Sequence, residues 1–232
     1  MALKTITVTE KLLSLLIGWW GLRRDFTPSI TSLVKAIDAK DNYTMNHCKR
    51  VTFYALELAQ YLGCSNDMLD ALRFAGPIHD VGKIGVRDEI LLKPGGLESE
   101  ERDIMQNHVT IGGEIVKPLH PGHLELAVVR NHHERFDGEG YPDGLKGNKI
   151  PLVVRIFSVI DTYDAMSTDR PYRDALSPEE SVAELIRCRG SQFDGDVVNA
   201  FIEHTLSAYK EVAPIYEGHT GSEQGQITHL CS

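Results

Sequence analysis

The sequence predicts an all-α fold, and three features lead to it. Apolar residues recur at three- and four-residue spacing through most of the chain, no alternating strand pattern of any length interrupts them, and no internal repeat divides them. A chain of 232 residues with 42% hydrophobic composition can bury one main core. A single helical domain with short appendages is therefore expected.

The elements follow in order. Residues 1–27 read as a leader that joins the body at Thr27-Pro28-Ser29, a turn or helix-start signal. Within it, Leu12 to Leu22 (LLSLLIGWWGL) falls well short of the ~20 apolar residues that span a bilayer, and no A-x-A cleavage site follows. This run is expected to pack on the domain as a helix; a surface anchor or the end of an upstream sensory segment is the alternative. From Thr44 to Leu62 a stripe of Val51, Tyr54, Ala55, Leu58, Ala59 and Leu62 predicts a helix, with Gly63 as its stop. His47 lies one turn before Val51 and so points inward from the end of the stripe. The next helix is expected over Asn66 to Val81, bent by Pro77 and ending on His79-Asp80.

After the Lys93-Pro94-Gly95-Gly96 loop, a helix over Leu97 to Ile115 would put Ile104, His108 and Ile111 or Ile115 on one face. Leu124, Val128 and His132 repeat the device. Arg135 to Lys149 is dense in Gly, Asp and Pro, which predicts an ordered surface loop long enough to cover a site. Pro151 opens a helix on which Val154, Phe157 and Asp161 share a face. Ser177-Pro178-Glu179-Glu180 has the form of a capping box, and Val197, Val198, Phe201 and Ile202 stripe the last helix. Beyond Ala213 the tail is polar and expected to fray.

A net charge of -9 disfavours a protein that tracks a nucleic-acid backbone, because phosphate contacts need clustered Lys and Arg. A small anionic ligand is still allowed, since metal ions and a few local cations can dominate a cleft. Cys48, Cys64, Cys188 and Cys231 are scattered without a C-x-x-C pair. They suggest neither a zinc knuckle nor a disulfide framework, and fit a reducing cytoplasm.

The polar residues on or beside the core stripes are His47, His79, Asp80, His108, His132, His133 and Asp161. Singly, each is more often a satisfied core histidine or a helix-end carboxylate. Together, five imidazoles and two carboxylates are costly to bury without a cation. One ion needs about four to six of them, so two divalent metals are expected, with Asp80 as the carboxylate best placed to bridge them. Two ions about 3.5–4 Å apart can hold a bridging hydroxide for in-line attack on phosphorus, which points to phosphoester hydrolysis. Mixed His and carboxylate ligation suits iron or manganese better than a closed tetrahedral zinc site.

Four blocks carry a resemblance to a known family: His79-Asp80-Val81-Gly82-Lys83-Ile84-Gly85, then His108, then His132 to Pro142 (HHERFDGEGYP), then Asp161 to Met166 with Arg170-Pro171-Tyr172-Arg173. Over roughly Ser29 to Phe201 the chain resembles the HD-GYP proteins, bacterial phosphodiesterases that open cyclic di-GMP. The HD step alone marks only the broad superfamily of metal phosphohydrolases; the HHE-x-x-DG-x-GYP loop narrows the substrate class. The resemblance implies a bundle of about seven to nine helices with the GYP loop over a buried metal site. It implies that His47, His79, Asp80 and Asp161 hold one ion, while His108, His132 and His133 join Asp80 at the second. Lys83 would lie against the scissile phosphate or the hydroxide, acting with Asp80 in catalysis. Arg170 and Arg173 would bind phosphate, a use suited to the guanidinium fork. Arg135, Asp137 and Tyr141 would shape the loop, Tyr141 with a share in substrate contact, and Glu134 would orient a ligand histidine. Family members with a third metal carry a glutamate one turn before the first ligand histidine; Tyr43 stands there, with Asp41 nearby, so two ions are expected.

The expectation is thus a phosphodiesterase domain over residues 28–212, between the leader and a tail of residues 213–232, which hydrolyses cyclic di-GMP to pGpG and leaves further cleavage to GMP open. The alternatives are a phosphodiesterase for mixed cyclic GMP-AMP and a non-catalytic module that binds a cyclic dinucleotide and signals by contact. Polymeric nucleic acid is not expected as a partner. Membrane contact by the leader, a homodimer and signalling partner proteins are each compatible with the sequence.

Overall fold

The structure, a computed structural model, describes residues 27–40, 44–169 and 174–205. Among them are nine helices of six residues or more and one single-turn helix, and no strand. In chain order they are α1 (Thr27–Lys40), α2 (Thr44–Tyr61), α3 (Asn66–Ala75), the single turn α4 (Asp88–Leu91), α5 (Ser99–Gln106), α6 (His108–Val116), α7 (His123–Asn131), α8 (Leu152–Ser167), α9 (Pro178–Arg187) and α10 (Gly195–Ala200). The all-α expectation holds. No helix among the described residues is long and apolar enough to cross a membrane. The leader's apolar run, the tail, Asp41, Tyr43 and the Arg170 to Arg173 segment lie outside the described residues.

The core is built on α2 and α8, which pack against each other. Val51, Tyr54, Ala55, Leu58 and Ala59 face Val153, Val154, Ile156, Phe157 and Ile160, all fully buried. Helix α2 ends as its sequence predicts. Gly63 adopts φ +68°, its N–H donates to the Gln60 carbonyl at 3.0 Å, and the Cys64 N–H donates to the Ala59 carbonyl at 2.9 Å. This paired closure needs the left-handed residue that glycine supplies most easily. The α9 capping box is also present: the Glu180 N–H donates to the Ser177 hydroxyl, and the Ser177 N–H donates to the Glu180 carboxylate.

Two helices are shorter than the apolar spacing predicts. Helix α3 stops at Ala75, and tight 3-10 turns over Gly76–Ile78 and Val81–Gly85 flank His79 and Asp80. Pro77 has no N–H to continue the ladder. The break has a use: consecutive residues of an α-helix point about 100° apart, whereas the bridge-region backbone of Asp80 (φ -90°, ψ 9°) turns His79 and Asp80 toward one cavity. The expected single helix over Leu97 to Ile115 is likewise two, broken at Asn107. His108 thereby opens α6 and is buried, while Ile104 on α5 is 38% exposed and does not share its face.

The Val81–Gly85 turn lies directly on α6. A Cβ on Gly82 would stand 1.8 Å from the His108 carbonyl oxygen and 2.5 Å from the Gly112 nitrogen, a collision with backbone that no rotamer change relieves. Gly82→Ala should lower stability by about 3 kcal/mol, as severe overpacking does. Gly113→Ala, whose Cβ would meet only Leu126 Cδ1 at 3.8 Å, should be neutral or stabilising by up to about 1 kcal/mol. Urea denaturation of the two variants checks the contrast.

Candidate metal centre

Five elements converge on one buried space. Helix α2 contributes His47, the turn after α3 contributes His79, Asp80 and Lys83, α6 opens with His108, α7 ends into His132 and His133, and α8 contributes Asp161. His47, His79, Asp80, His108 and His132 are each at most 4% exposed. The ligand atoms of His47, His79 and Asp80 lie within 4.8 Å of one another, as do those of His108, His132 and His133. Asp161 Oδ1 adds a fourth ligand atom to the first group, 3.1 Å from His47 Nε2 and 3.7 Å from His79 Nε2. All seven residues expected around metal are brought together.

The hydrogen bonds fix which nitrogen each imidazole offers. Nδ1 of His79 donates to the Gly76 carbonyl at 2.8 Å, Nδ1 of His108 to the Met105 carbonyl at 2.8 Å, and Nδ1 of His132 to the Val128 and Val129 carbonyls at 3.1 and 3.0 Å. A carbonyl only accepts, so each hydrogen sits on Nδ1 and each neutral ring turns a bare Nε2 lone pair inward. Among the described residues those three Nε2 atoms are buried without a hydrogen-bond partner. Unsatisfied buried polar atoms each cost about 1–3 kcal/mol. Three of them aimed into one carboxylate-lined space are what a cation would satisfy, so the residues fit a divalent metal centre.

Asp80 joins the two groups. Its Oδ2 lies 3.5 Å from His79 Nε2, and its Oδ1 lies 3.3 Å from His108 Nε2 and 3.9 Å from His132 Nε2. One carboxylate oxygen thus serves each side. Lys83 Nζ donates to Oδ2 at 2.6 Å, so the ammonium stands at the rim of the same space.

The electrostatics follow from burial and these neighbours. Burial lowers the pKa of His79 and, reinforced by His133 and His79, takes His132 well below the usual range; burial with His108 pushes His133 to about 3. All three are held in the neutral form that ligates metal. Burial alone would raise the carboxyls of Asp80 and Asp161, yet the Lys83 ammonium holds Asp80 well below its ordinary value, and His47 does the same for Asp161. His47 runs the other way: burial opposes its charge, but Asp161 and Asp164 outweigh it and push the imidazole up to about 9. A cation is favoured where His47 faces Asp161, and a metal ion there competes with that proton.

Two residues that hold His47 were given no role by the sequence, although Asp164 lies within the Asp161 to Met166 block. Nδ1 of His47 donates to Asp164 Oδ2 at 2.7 Å, and Arg50 grips the same carboxylate through Nε to Oδ1 at 2.6 Å and Nη2 to Oδ2 at 2.9 Å. Asp164 is fully buried and Arg50 nearly so. Each sits three residues after a candidate ligand on the same helix, Asp161 and His47 respectively. That spacing is a cue to both.

The loop over residues 135–149 closes one side, as expected. Arg135 pairs with Asp137 through Nη2 to Oδ2 at 2.7 Å, and the Tyr141 ring stacks on His133 at 5.0 Å and 27°. Burial, with Asp80 and Asp161 behind it, raises the Tyr141 phenol above its ordinary range. Glu134 departs from expectation. It holds no histidine; its carboxylate accepts the N–H groups of Asp143 at 2.7 Å and Leu145 at 2.8 Å and so fixes the loop's return. A Cβ on Gly140 would stand 2.2 Å from the Arg135 nitrogen, which accounts for glycine at the tightest point. Arg170 and Arg173, expected to bind phosphate, fall outside the described residues.

This fold is matched by known proteins. A family model described as HD domain covers residues 31–197. The chain therefore belongs to the HD-domain family. Its His132 to Pro142 loop and its relatives place it in the HD-GYP branch of that family. It is 37% identical over 195 residues to a cyclic di-GMP phosphodiesterase of Thermotoga maritima, which covers 83% of this chain and 52% of the relative. It is 36% identical over 185 residues to the 3'3'-cGAMP-specific phosphodiesterase 2 of Vibrio cholerae, covering 79% of this chain and 35% of the relative. The chain thus spans about half the length of the first relative and a third of the second. Among solved structures, the cyclic GMP-AMP phosphodiesterase V-cGAP3 of V. cholerae shares the fold, with a TM-score of 0.60 at 19% identity over 81% of this chain and 50% of that one.

Asp164→Asn removes the charge behind His47 while keeping its shape. Manganese binding at the group of His47, His79 and Asp161 should weaken about 10- to 100-fold, with helicity by circular dichroism unchanged. Manganese titration followed by electron paramagnetic resonance measures it.

Proposed function

We propose that residues 28–212 form a metal-dependent phosphodiesterase that hydrolyses cyclic di-GMP to pGpG. The observation that carries this reading is the division of the Asp80 carboxylate between two histidine groups. His47, His79, Asp80 and Asp161 would hold one divalent ion, and Asp80, His108, His132 and His133 a second. Iron or manganese suits this mixed nitrogen and oxygen set. Such ions supply Lewis acidity, which polarises phosphoryl oxygens and makes water nucleophilic at neutral pH.

The chain's own residues would do the rest. Lys83, fixed on Asp80 Oδ2, presents an ammonium at the mouth of the space, where it neutralises charge building on a bound phosphodiester. Arg170 and Arg173 would clamp the phosphates, and the carbonyl-bonded imidazoles keep the ligand atoms aimed without reorganisation. Tyr141, packed on His133, walls the substrate side. The choice of cyclic di-GMP is supported by the resemblance of the loop and by the Thermotoga relative. The second reading, a phosphodiesterase for mixed cyclic GMP-AMP, is supported by a Vibrio relative of nearly equal identity.

Protein purified with manganese or ferrous iron under reducing conditions should convert cyclic di-GMP to pGpG, followed by chromatography. Asp80→Ala should lose both bound metal and turnover. Lys83→Met should keep its metal and lose about 100-fold or more in kcat. Metal-loaded protein that turns over no cyclic dinucleotide contradicts the proposal.

A further inference from the structure

Beside the metal centre, a cleft of about 510 Å³ runs between the GYP loop and the α5–α6 junction, within the size range of small-molecule sites. Tyr141 borders both spaces, since its ring stacks on His133 and also lines the cleft. The junction is tied to the centre as well: the Met105 carbonyl accepts His108 Nδ1–H at 2.8 Å, and the Asn107 N–H donates to the Asp103 carbonyl at 3.2 Å. Tyr141 thus stands between the cleft and the histidine cluster.

The chemistry of the walls discriminates among parts of such a substrate. Ile104 and Ile111 give an apolar side and Tyr141 an aromatic one, a surface suited to a planar ring. Among the described residues no lysine or arginine lines the cleft, and the one charged side chain there is Asp103. That carboxylate repels phosphate, so the phosphates belong at the histidines and the neutral base in the cleft. Asp103, Gln106, Asn107 and Thr110 make no side-chain hydrogen bond or ion pair among the described residues, which leaves them available to a ligand. Guanine offers two neighbouring donors, N1–H and the 2-amino group, and a carboxylate accepts both at once. Adenine has no such donor pair on that edge; its amino group and N1 suit an amide instead.

We propose that this cleft is a guanine subsite in which Asp103 accepts N1–H and the 2-amino group of one base of the cyclic dinucleotide, while Tyr141 and the two isoleucines flank the ring. The inference rests on the phosphodiesterase reading above and assigns its base preference. Asp103 is exposed on α5, so its replacement does not disturb the core.

The test compares wild type and Asp103→Asn, both manganese-loaded full chains, on cyclic di-GMP and on bis(p-nitrophenyl) phosphate, a phosphodiester with no purine. The ratio of the two kcat/KM values should fall about 10- to 100-fold in Asp103→Asn, the discrimination of one bidentate base contact. The kcat/KM ratio of cyclic di-GMP to 3'3'-cGAMP should fall with it, because the new amide accommodates adenine. A cyclic di-GMP to bis(p-nitrophenyl) phosphate ratio equal to that of wild type overturns the subsite and leaves the phosphodiesterase reading standing. Wild type inactive on every diester overturns the phosphodiesterase reading and the subsite with it.

Discussion

The carboxylate of Asp80, one oxygen toward His79 and the other toward His108 and His132, is the contact around which the domain is arranged. A buried carboxylate amid imidazoles whose lone pairs lack donors is unfavourable on its own. Among the described residues the ammonium of Lys83, 2.6 Å from Oδ2, offsets part of that cost. The remaining cost falls on the Nε2 atoms of His79, His108 and His132. The apolar packing of α2 against α8 contributes the stability that supports this polar interior, and a bound ion would add its binding free energy to the folded state.

Helix ends, more than helix faces, deliver the site. His79 and Asp80 lie between two 3-10 turns, His108 opens α6, and His132 follows α7. At these positions the last carbonyls of a helical turn are free to accept an imidazole N–H, as those of Gly76, Met105, Val128 and Val129 do. Backbone that would otherwise go unsatisfied thus orients the side chains. Close approach follows from the same breaks: the turn carrying Lys83 can lie on α6 only because residue 82 has no side chain.

Much of this was legible in the sequence. Inward histidines on apolar stripes, the His79-Asp80 step and the Gly-rich loop pointed to one helical domain with a multi-histidine metal site, and all seven candidate ligands converge. Apolar spacing carried the reading of α2 and α8, whose faces are continuous. It misjudged α3, because a 3-10 turn keeps nearly the same apolar spacing as an α-helix while redirecting the chain, and the α5–α6 pair, because the break is the single residue Asn107, which leaves the apolar spacing unchanged. Arg50, and the role of Asp164 within the Asp161 to Met166 block, were missed for another reason. Their role depends on a contact between residues 114 apart in sequence, and a polar residue next to a ligand reads equally well as solvated. Glu134 was misassigned because adjacency to two histidines suggested a histidine contact, while the loop amides it binds come from residues 9 and 11 positions later.

The central claim is that Asp80 joins two cation sites, each built from its own histidines. Crystals of the manganese-loaded protein, measured at the manganese absorption edge, test this most directly. The account predicts two anomalous peaks, one among His47, His79 and Asp161 and one among His108, His132 and His133, with one Asp80 oxygen on each. A single peak, or two peaks with Asp80 turned away from either, would contradict it.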